Sequence, residues 1–141
     1  MSVWQKQFDL QRLNQARENT LIRHLGIEFT EFGDDYICAT MPVDQRTHQP
    51  MGLLHGGASV VLAETLGSTA ATLACPEGFA CVGLEINANH MRAVRSGLVT
   101  GITRALHIGR STQVWEIKIY DQAQKMSCIS RITLSVIKHP G

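Results

Sequence analysis

Apolar residues in the second half of the chain recur at every second position. Val82, Leu84 and Ile86 alternate with small or polar residues, and the same alternation resumes near Trp115 and Met126. A period of two is typical of a β-strand with one buried face. Turn-forming segments, "RSG", "GRST" and "DQAQK", separate these runs. The pattern therefore predicts a meander of long antiparallel strands, with Val82 and Leu84 on the buried face.

The first half of the chain predicts the helices. Residues 57–73 are apolar or small on every side, which indicates a helix buried on most faces, and the Cys-Pro pair at 75–76 ends it. Residues 9–17 predict a short amphipathic helix with Asp9 as N-cap, and residues 21–43 predict two short strands around the turn "FGDD". The predicted fold class is α+β, with a sheet curled over one helix.

Length and composition indicate a single domain over residues 1–141, the size of an ordinary globular unit. The formal net charge of +1 gives no general attraction to nucleic acid or to a membrane surface. No apolar run reaches the roughly 18 residues of a membrane span, and the polar N-terminal segment lacks a signal peptide. We therefore expect a cytoplasmic protein with neither nucleic acid nor membrane as partner.

The cysteines and histidines show no metal-ligand spacing. We expect no metal, and we expect the cysteines to be free thiols packed like small apolar residues. They are Cys38, Cys75, Cys81 and Cys128.

One carboxylate stands alone in the apolar segment. Between Arg46 and Glu77 the only formally charged side chain is Glu64. A buried charge without a partner costs several kcal/mol, and Ser68 lies one helical turn further on the same face. Glu64 is therefore a candidate general base or nucleophile; the alternative is a surface ion pair at a helix edge.

The turn "LLHGGAS" leads directly into this helix. Gly56 and Gly57 allow another molecule to approach the backbone, and amides at a helix N-terminus can stabilise an oxyanion. Ser59 is the predicted side-chain cap of the same turn. The alternative is a tight junction that needs glycine only for its shape. A phosphate loop is not indicated, because its Gly-Lys signature is missing.

Residues 86–115 contain no Asp or Glu but four arginines, including Arg92 and Arg110. Such a segment can hold a phosphorylated ligand, or it can simply be a charged, solvated sheet edge. His90 shares the parity of Leu84 and Ile86, so without a bulge it faces the buried side. It is either a core histidine or a site residue.

Three segments together, "RTHQPMGLLHGGASVVLAETLGS", "GLEINANHMRAVRSG" and "LHIGRSTQVWEI", resemble the hotdog-fold acyl-CoA thioesterases. The similarity is greatest to the small bacterial aroyl-CoA type, whose members serve siderophore proofreading and menaquinone synthesis, and it spans about residues 4–137. It implies a long sheet wrapped around a central helix, an active site at a dimer interface, and a homotetramer made of two dimers. It also implies that no cofactor is needed, because coenzyme A or a carrier-protein phosphopantetheine arm belongs to the substrate.

The resemblance also implies roles for individual residues. Glu64 of one chain would attack the thioester carbonyl or activate water, while the amides of Gly56 and Gly57 polarise that carbonyl. Four side chains would position the acyl group, water or leaving thiol: Gln49, His55, Ser68 and His90. The expected contacts with coenzyme A are Arg92, His107, Gly109, Arg110 and Ser111. Met51 stands where many relatives carry an aromatic residue and would shape the acyl pocket.

Two other functions remain open at this point. An enoyl-thioester hydratase of the same fold usually pairs Asp with His in a different motif, which this chain lacks. A non-catalytic module binding acyl thioesters or carrier proteins would use the arginine-rich segment without Glu64. The acyl group, the choice between coenzyme A and an aryl carrier protein, and the role of Glu64 as nucleophile or base also stay open.

Overall fold

A computed structural model describes residues 1–139. Three helices are present, α1 (Leu10–Gln15), α2 (Leu21–His24) and α3 (Gly56–Ala74). The strands are β1 (Glu28–Phe32), β2 (Tyr36–Pro42), β3 (Phe79–His90), β4 (Leu98–Ile108), β5 (Thr112–Tyr120) and β6 (Met126–Lys138). They form one antiparallel sheet in the order β1-β2-β4-β5-β6-β3. No helix in this part of the chain is long and apolar enough to cross a membrane.

The sheet curves around α3, as predicted. Trp115, Ile117 and Ile119 alternate along β5 and are fully buried against the helix. The small residues of α3 let the strands approach closely: a Cβ built on Gly67 would lie 2.6 Å from Ile132 Cγ2. The central helix and the α+β class are therefore confirmed.

The N-terminal predictions are confirmed with one correction. Asp9 caps α1, since its Oδ1 accepts a hydrogen bond from Arg12 N at 2.8 Å. Two strands do surround the predicted turn, but Leu21–His24 is a helical turn rather than the beginning of a strand. Gly26, with φ of 73°, ends that turn in a Schellman arrangement, and the strand begins only afterwards.

The predicted burial is wrong for residues in the middle of β3. The meander joins β4, β5 and β6, whereas β3 pairs only with β6 and forms an edge of the sheet. A bulge between Gly83 and Glu85 changes which residues face α3. Val82 and Leu84, predicted to be buried, are 45% and 62% exposed. Beyond the bulge Ile86 again packs against the core, as expected.

The two edges of the sheet differ in their protection. At β1, the side chain of Asn14 donates to Phe29 O and accepts from Phe29 N, both at 2.9 Å, which blocks further strand pairing there. At β3, no side chain within residues 1–139 hydrogen-bonds the main chain between Val82 and Ile86. The open edge is therefore β3.

Candidate active site

His55 is the N-cap of α3. Its Nδ1 accepts a hydrogen bond from Gly57 N at 2.8 Å, and its carbonyl oxygen accepts from Ala58 N and Ser59 N. The expectation that both glycine amides are available is therefore wrong for Gly57, and His55 rather than Ser59 caps the helix. Gly56 N has no hydrogen-bond acceptor among the described residues. The amide of Gly56 is thus the one that can bind an oxyanion at the helix N-terminus.

His90, at the end of β3, lies directly over Gly56. A Cβ built on Gly56 would lie 3.0 Å from His90 Nε2, so the imidazole packs closely against this glycine and would have to shift for a larger residue. Both residues line a cavity of about 450 Å³ together with Gln49, Ser59 and Arg92. The structure thus brings together four of the predicted site residues, Gln49, Gly56, His90 and Arg92, at one end of α3.

Gln49 is held in a defined orientation by its own loop. Its Oε1 accepts hydrogen bonds from Met51 N at 2.6 Å and from Leu53 N at 3.4 Å. The oxygen is thereby occupied, and the side-chain NH2 group is the part left to donate to a ligand. Met51 lies on the same loop, but its side chain is 73% exposed and does not line the cavity of its own chain.

Arg92 is fixed at the margin of the cavity by Asp121. Arg92 Nε donates to Asp121 Oδ2 at 3.2 Å, while Asp121 Oδ1 accepts from Ala123 N and Lys125 N, both at 2.9 Å. The hydrogen bond from Lys125 N is the largest influence that lowers the pKa of Asp121, so this carboxylate remains ionised. The terminal nitrogens of Arg92 are left to bind an anionic group.

Glu64 is not buried in the single chain, contrary to the sequence prediction. It is exposed and makes no hydrogen bond or ion pair within residues 1–139. The reason is its position beside the edge strand: a Cβ built on Gly83 would lie 2.7 Å from Glu64 Oε2, and the sheet ends at β3. Ser68, one turn further along, is half-buried in a groove with Thr72 and Cys81.

Glu64 and the Gly56 amide of one chain lie at different levels of α3. They are eight residues apart on one helix, which corresponds to about 12 Å along its axis. Reacting atoms must approach to about 3–3.5 Å. The rise along the axis is well above this distance, so the two groups of one chain are not adjacent.

The predicted contacts with coenzyme A are divided between the two ends of α3. Gly109, Arg110 and Ser111 line a cavity of about 600 Å³ with Ala74 and Phe79. His107 is adjacent, since its Nε2 would be 2.6 Å from a Cβ built on Gly109. α3 has 19 residues, so its two ends are about 28 Å apart. Within one chain, Arg92 and the 107–111 turn do not form one phosphate site.

Comparison with known proteins identifies the family. The profile of the Thioesterase superfamily matches residues 51–128, which include α3, β3, β4 and β5. The chain belongs to the thioesterase superfamily. The proofreading thioesterase EntH of Cronobacter turicensis is 53% identical over 135 residues, covering 96% of this chain and 98% of that protein. A crystal structure of a thioesterase from Haemophilus influenzae superposes with a TM-score of 0.96 at 54% identity, covering 99% and 97%. The fold is therefore the hotdog fold, and the protein is a thioester hydrolase.

The cysteines of the thioesterase are buried and free. Burial raises the pKa of Cys81 to about 12 and that of Cys38 to about 11, so neither is a reactive thiolate at neutral pH. Within residues 1–139, no three His, Cys, Asp or Glu side chains are grouped as metal ligands. Nucleophilic chemistry by cysteine is thus not supported.

Two residues that contribute to the site of the thioesterase escape prediction from the sequence. Asp121 begins a polar turn, and nothing in the linear sequence connects it with Arg92, 29 residues away. Gly83 carries a usable signal, because an isolated glycine within a strand pattern indicates a bulge or a close approach. The contact of Asp121 with Arg92 and that of Gly83 with Glu64 both depend on the pairing of β3 with β6.

Proposed function

We propose that this thioesterase hydrolyses aromatic acyl thioesters of coenzyme A, or of a carrier-protein phosphopantetheine arm, at a site shared by two chains. Glu64 of one chain acts on a carbonyl whose oxygen is bound by Gly56 N of the other. The observation that carries this proposal is the separation of about 12 Å between the two groups along one helix.

The open β3 edge supplies a way to bring the two chains together. Two copies that pair through the same strand about a two-fold axis run antiparallel. Because His90 at the end of β3 lies beside Gly56 at the start of α3, such pairing brings the Gly56 cavity of one chain toward Glu64 of the other. It also brings Arg92 toward the 107–111 turn of the other chain, so the expected contacts with coenzyme A come together in one site. In the full proposal, two such dimers form a tetramer.

The chemistry follows one of two balanced routes. In the first, a Glu64 oxygen attacks the carbonyl carbon, the oxyanion is stabilised by Gly56 N, the C–S bond breaks, and water cleaves the resulting anhydride. In the second, Glu64 takes a proton from water, which attacks directly. His90, next to Gly56, protonates the leaving thiolate in both routes. It regains its proton from the water that is consumed, directly in the first route and by way of Glu64 in the second. The products are the free acid and the thiol, and no cofactor or metal takes part.

Several features support the finer parts of the proposal. Leu53 and Leu54 give the cavity an apolar wall suited to an aromatic ring, beside the free NH2 group of Gln49. Arg92 and Arg110 provide charge for the phosphates of coenzyme A. EntH of Cronobacter turicensis, a similar protein, is a proofreading thioesterase, which favours an aryl carrier protein as the other partner. The cytoplasm, where acyl-CoA is available, is the expected compartment.

The first test is Glu64→Gln, with Glu77→Gln as a matched control on the exposed residue that follows α3. Thiol release from aroyl-CoA, alkanoyl-CoA and aryl-carrier-protein thioesters is measured for each variant. We expect Glu64→Gln to lower kcat by about 10²- to 10⁴-fold and the control to retain full turnover. Undiminished kcat in Glu64→Gln would refute the role of the carboxylate. In single turnovers, labelled oxygen entering Glu64 distinguishes nucleophile from base.

A second test addresses the sharing of the site between chains. Glu64→Gln and His90→Ala chains are mixed after each is shown to be inactive. In an equimolar mixture, half of the re-formed dimers contain one chain of each variant, and one of the two sites in such a dimer is intact. Activity therefore returns to about a quarter of the wild-type value. If chain exchange is demonstrated and no activity returns, the site does not combine Glu64 and His90 from different chains.

A further inference from the structure

We propose that Gly83 is a positioning residue for Glu64. Its missing side chain leaves the space at the β3 edge in which the carboxylate lies, and this contact sets the direction from which Glu64 approaches the carbonyl. The inference rests on the proposed function, which makes Glu64 the catalytic carboxylate.

The space beside Gly83 is filled by the carboxylate of Glu64. A Cβ built on Gly83 would lie 2.7 Å from Glu64 Oε2, whereas the nearest atom of any other residue, Ile132 Cδ1, would be at 3.7 Å. The latter is an ordinary van der Waals distance. An alanine here would therefore meet the carboxylate and no other group too closely.

The backbone itself does not require glycine at this position. Four glycines of the described chain have positive φ, and Gly83 is not among them: Gly26, Gly52, Gly78 and Gly97. Glycine in the interior of a strand weakens it, because flexibility is lost on folding and no side chain packs. The reason for glycine at position 83 is thus room rather than conformation.

The β3 bulge gives residue 83 its direction. Gly83 is opposite Leu134 and Glu85 is opposite Thr133, so the strand gains one residue between them. Gly83 consequently faces the turn of α3 that carries Glu64, while Leu84 faces away. Since no hydrogen bond or ion pair within residues 1–139 holds the carboxylate, its contact with Gly83 limits where it can lie.

A methyl group at position 83 would push the carboxylate away from β3. Displacing a reacting group by about 1 Å can cost about 100-fold in rate. For Gly83→Ala we therefore expect kcat to fall by about 10- to 100-fold. We expect KM to change little, because a Cβ at position 83 comes near Glu64 and Ile132 only, and not near Gln49, Gly56 or Arg92, the proposed binding groups.

Gly101→Ala is the matched control. A Cβ at Gly101 on β4 would lie 2.7 Å from Leu66 Cδ1, so the same substitution creates an equally close approach to the same helix without involving Glu64. Thiol release from an aroyl-CoA gives kcat and KM for both variants, while light scattering and thermal melting report assembly and stability. Gly101→Ala should retain kcat within about twofold, because it does not touch Glu64. An equal loss of kcat in both variants would indicate general loosening of the packing and would overturn the inference.

A second pair of variants separates positioning from packing. After Glu64→Ala, the close contact of an alanine at position 83 is gone. Adding Gly83→Ala should then not lower the melting temperature, and it should leave the affinity for a non-hydrolysable CoA thioether unchanged. Wild-type kcat in Gly83→Ala would overturn the inference, and so would equal destabilisation by Gly83→Ala with and without Glu64. If Gly83→Ala alone fails to fold, recovery in the Glu64→Ala background supports the inference and continued failure overturns it. Full activity of Glu64→Gln would instead refute the proposed function.

Discussion

The substitution Leu84→Asp tests whether the β3 edge is covered by a second chain. Leu84 is 62% exposed on an edge strand whose main chain is unprotected at that point. In a dimer paired through β3 about a two-fold axis, the Leu84 side chains of both chains lie close to the junction of the two sheets, so the substitution acts twice. Leu21→Asp on α2 is the matched control, because Leu21 is 57% exposed and lies away from β3.

The size of the effect follows from the exposed fraction. Complete burial of a leucine side chain contributes about 1.5–3 kcal/mol, so covering all of the 62% that is exposed contributes at most about 1–2 kcal/mol for each copy. Two copies give about 2–4 kcal/mol, which weakens the dimer by about 30- to 1,000-fold when they are lost. Two carboxylates brought close to the axis add repulsion to this loss.

Sedimentation and specific activity, both measured as a function of protein concentration, provide the assay. We expect the specific activity of Leu84→Asp to fall on dilution and to recover at high concentration, since the proposed site needs two chains. Wild type and Leu21→Asp should remain constant over the same range. If Leu84→Asp stays dimeric and fully active at the lowest concentration, β3 is not the pairing edge.

Two further predictions concern titration. Hydrogen bonds from the Arg46 side chain lower the pKa of Asp44 from 3.8 to about 2, so this contribution to stability is present above about pH 4 and is lost as pH falls toward 2. Melting temperatures from pH 2 to 6 should therefore show wild type and Asp44→Asn converging at the acid end, and a constant difference would contradict this. Burial raises the pKa of Cys81 to about 12, so iodoacetamide at pH 8 should label the native protein slowly and the unfolded protein at all four cysteines. Mass spectrometry measures the labelling, and rapid modification of native Cys81 would contradict the burial.

Much of the fold was predictable because its signals are local. The run of mostly apolar and small residues, in which Glu64 is the only charged side chain, predicted α3 to within one residue at each end, since a helix enclosed by a sheet has no polar stripe. The alternation from Trp115 to Ile119 predicted β5, because a strand with one buried face repeats every two residues. The Asp9 cap was predictable for the same reason, as its partner is three residues away.

The candidate site was only partly predictable. Gln49, Gly56, His90 and Arg92 were identified and do line one cavity. The sequence could not indicate that His55 occupies the amide of Gly57, since the side-chain rotamer decides that contact. Nor could it indicate that Glu64 is exposed in the single chain, because that depends on which strand forms the edge.

The sequence by itself therefore determined the elements, the glycine turn before α3 and the identity of the lone carboxylate. Only the tertiary structure decided that β3 pairs with β6 alone, that its bulge turns Gly83 toward Glu64 and Leu84 outward, and that Glu64 is exposed beside this edge. The physical reason is the distance along the chain over which the interactions act. Periodicity and capping depend on neighbours within one or two turns, whereas strand order and register depend on hydrogen bonds between segments far apart in the chain.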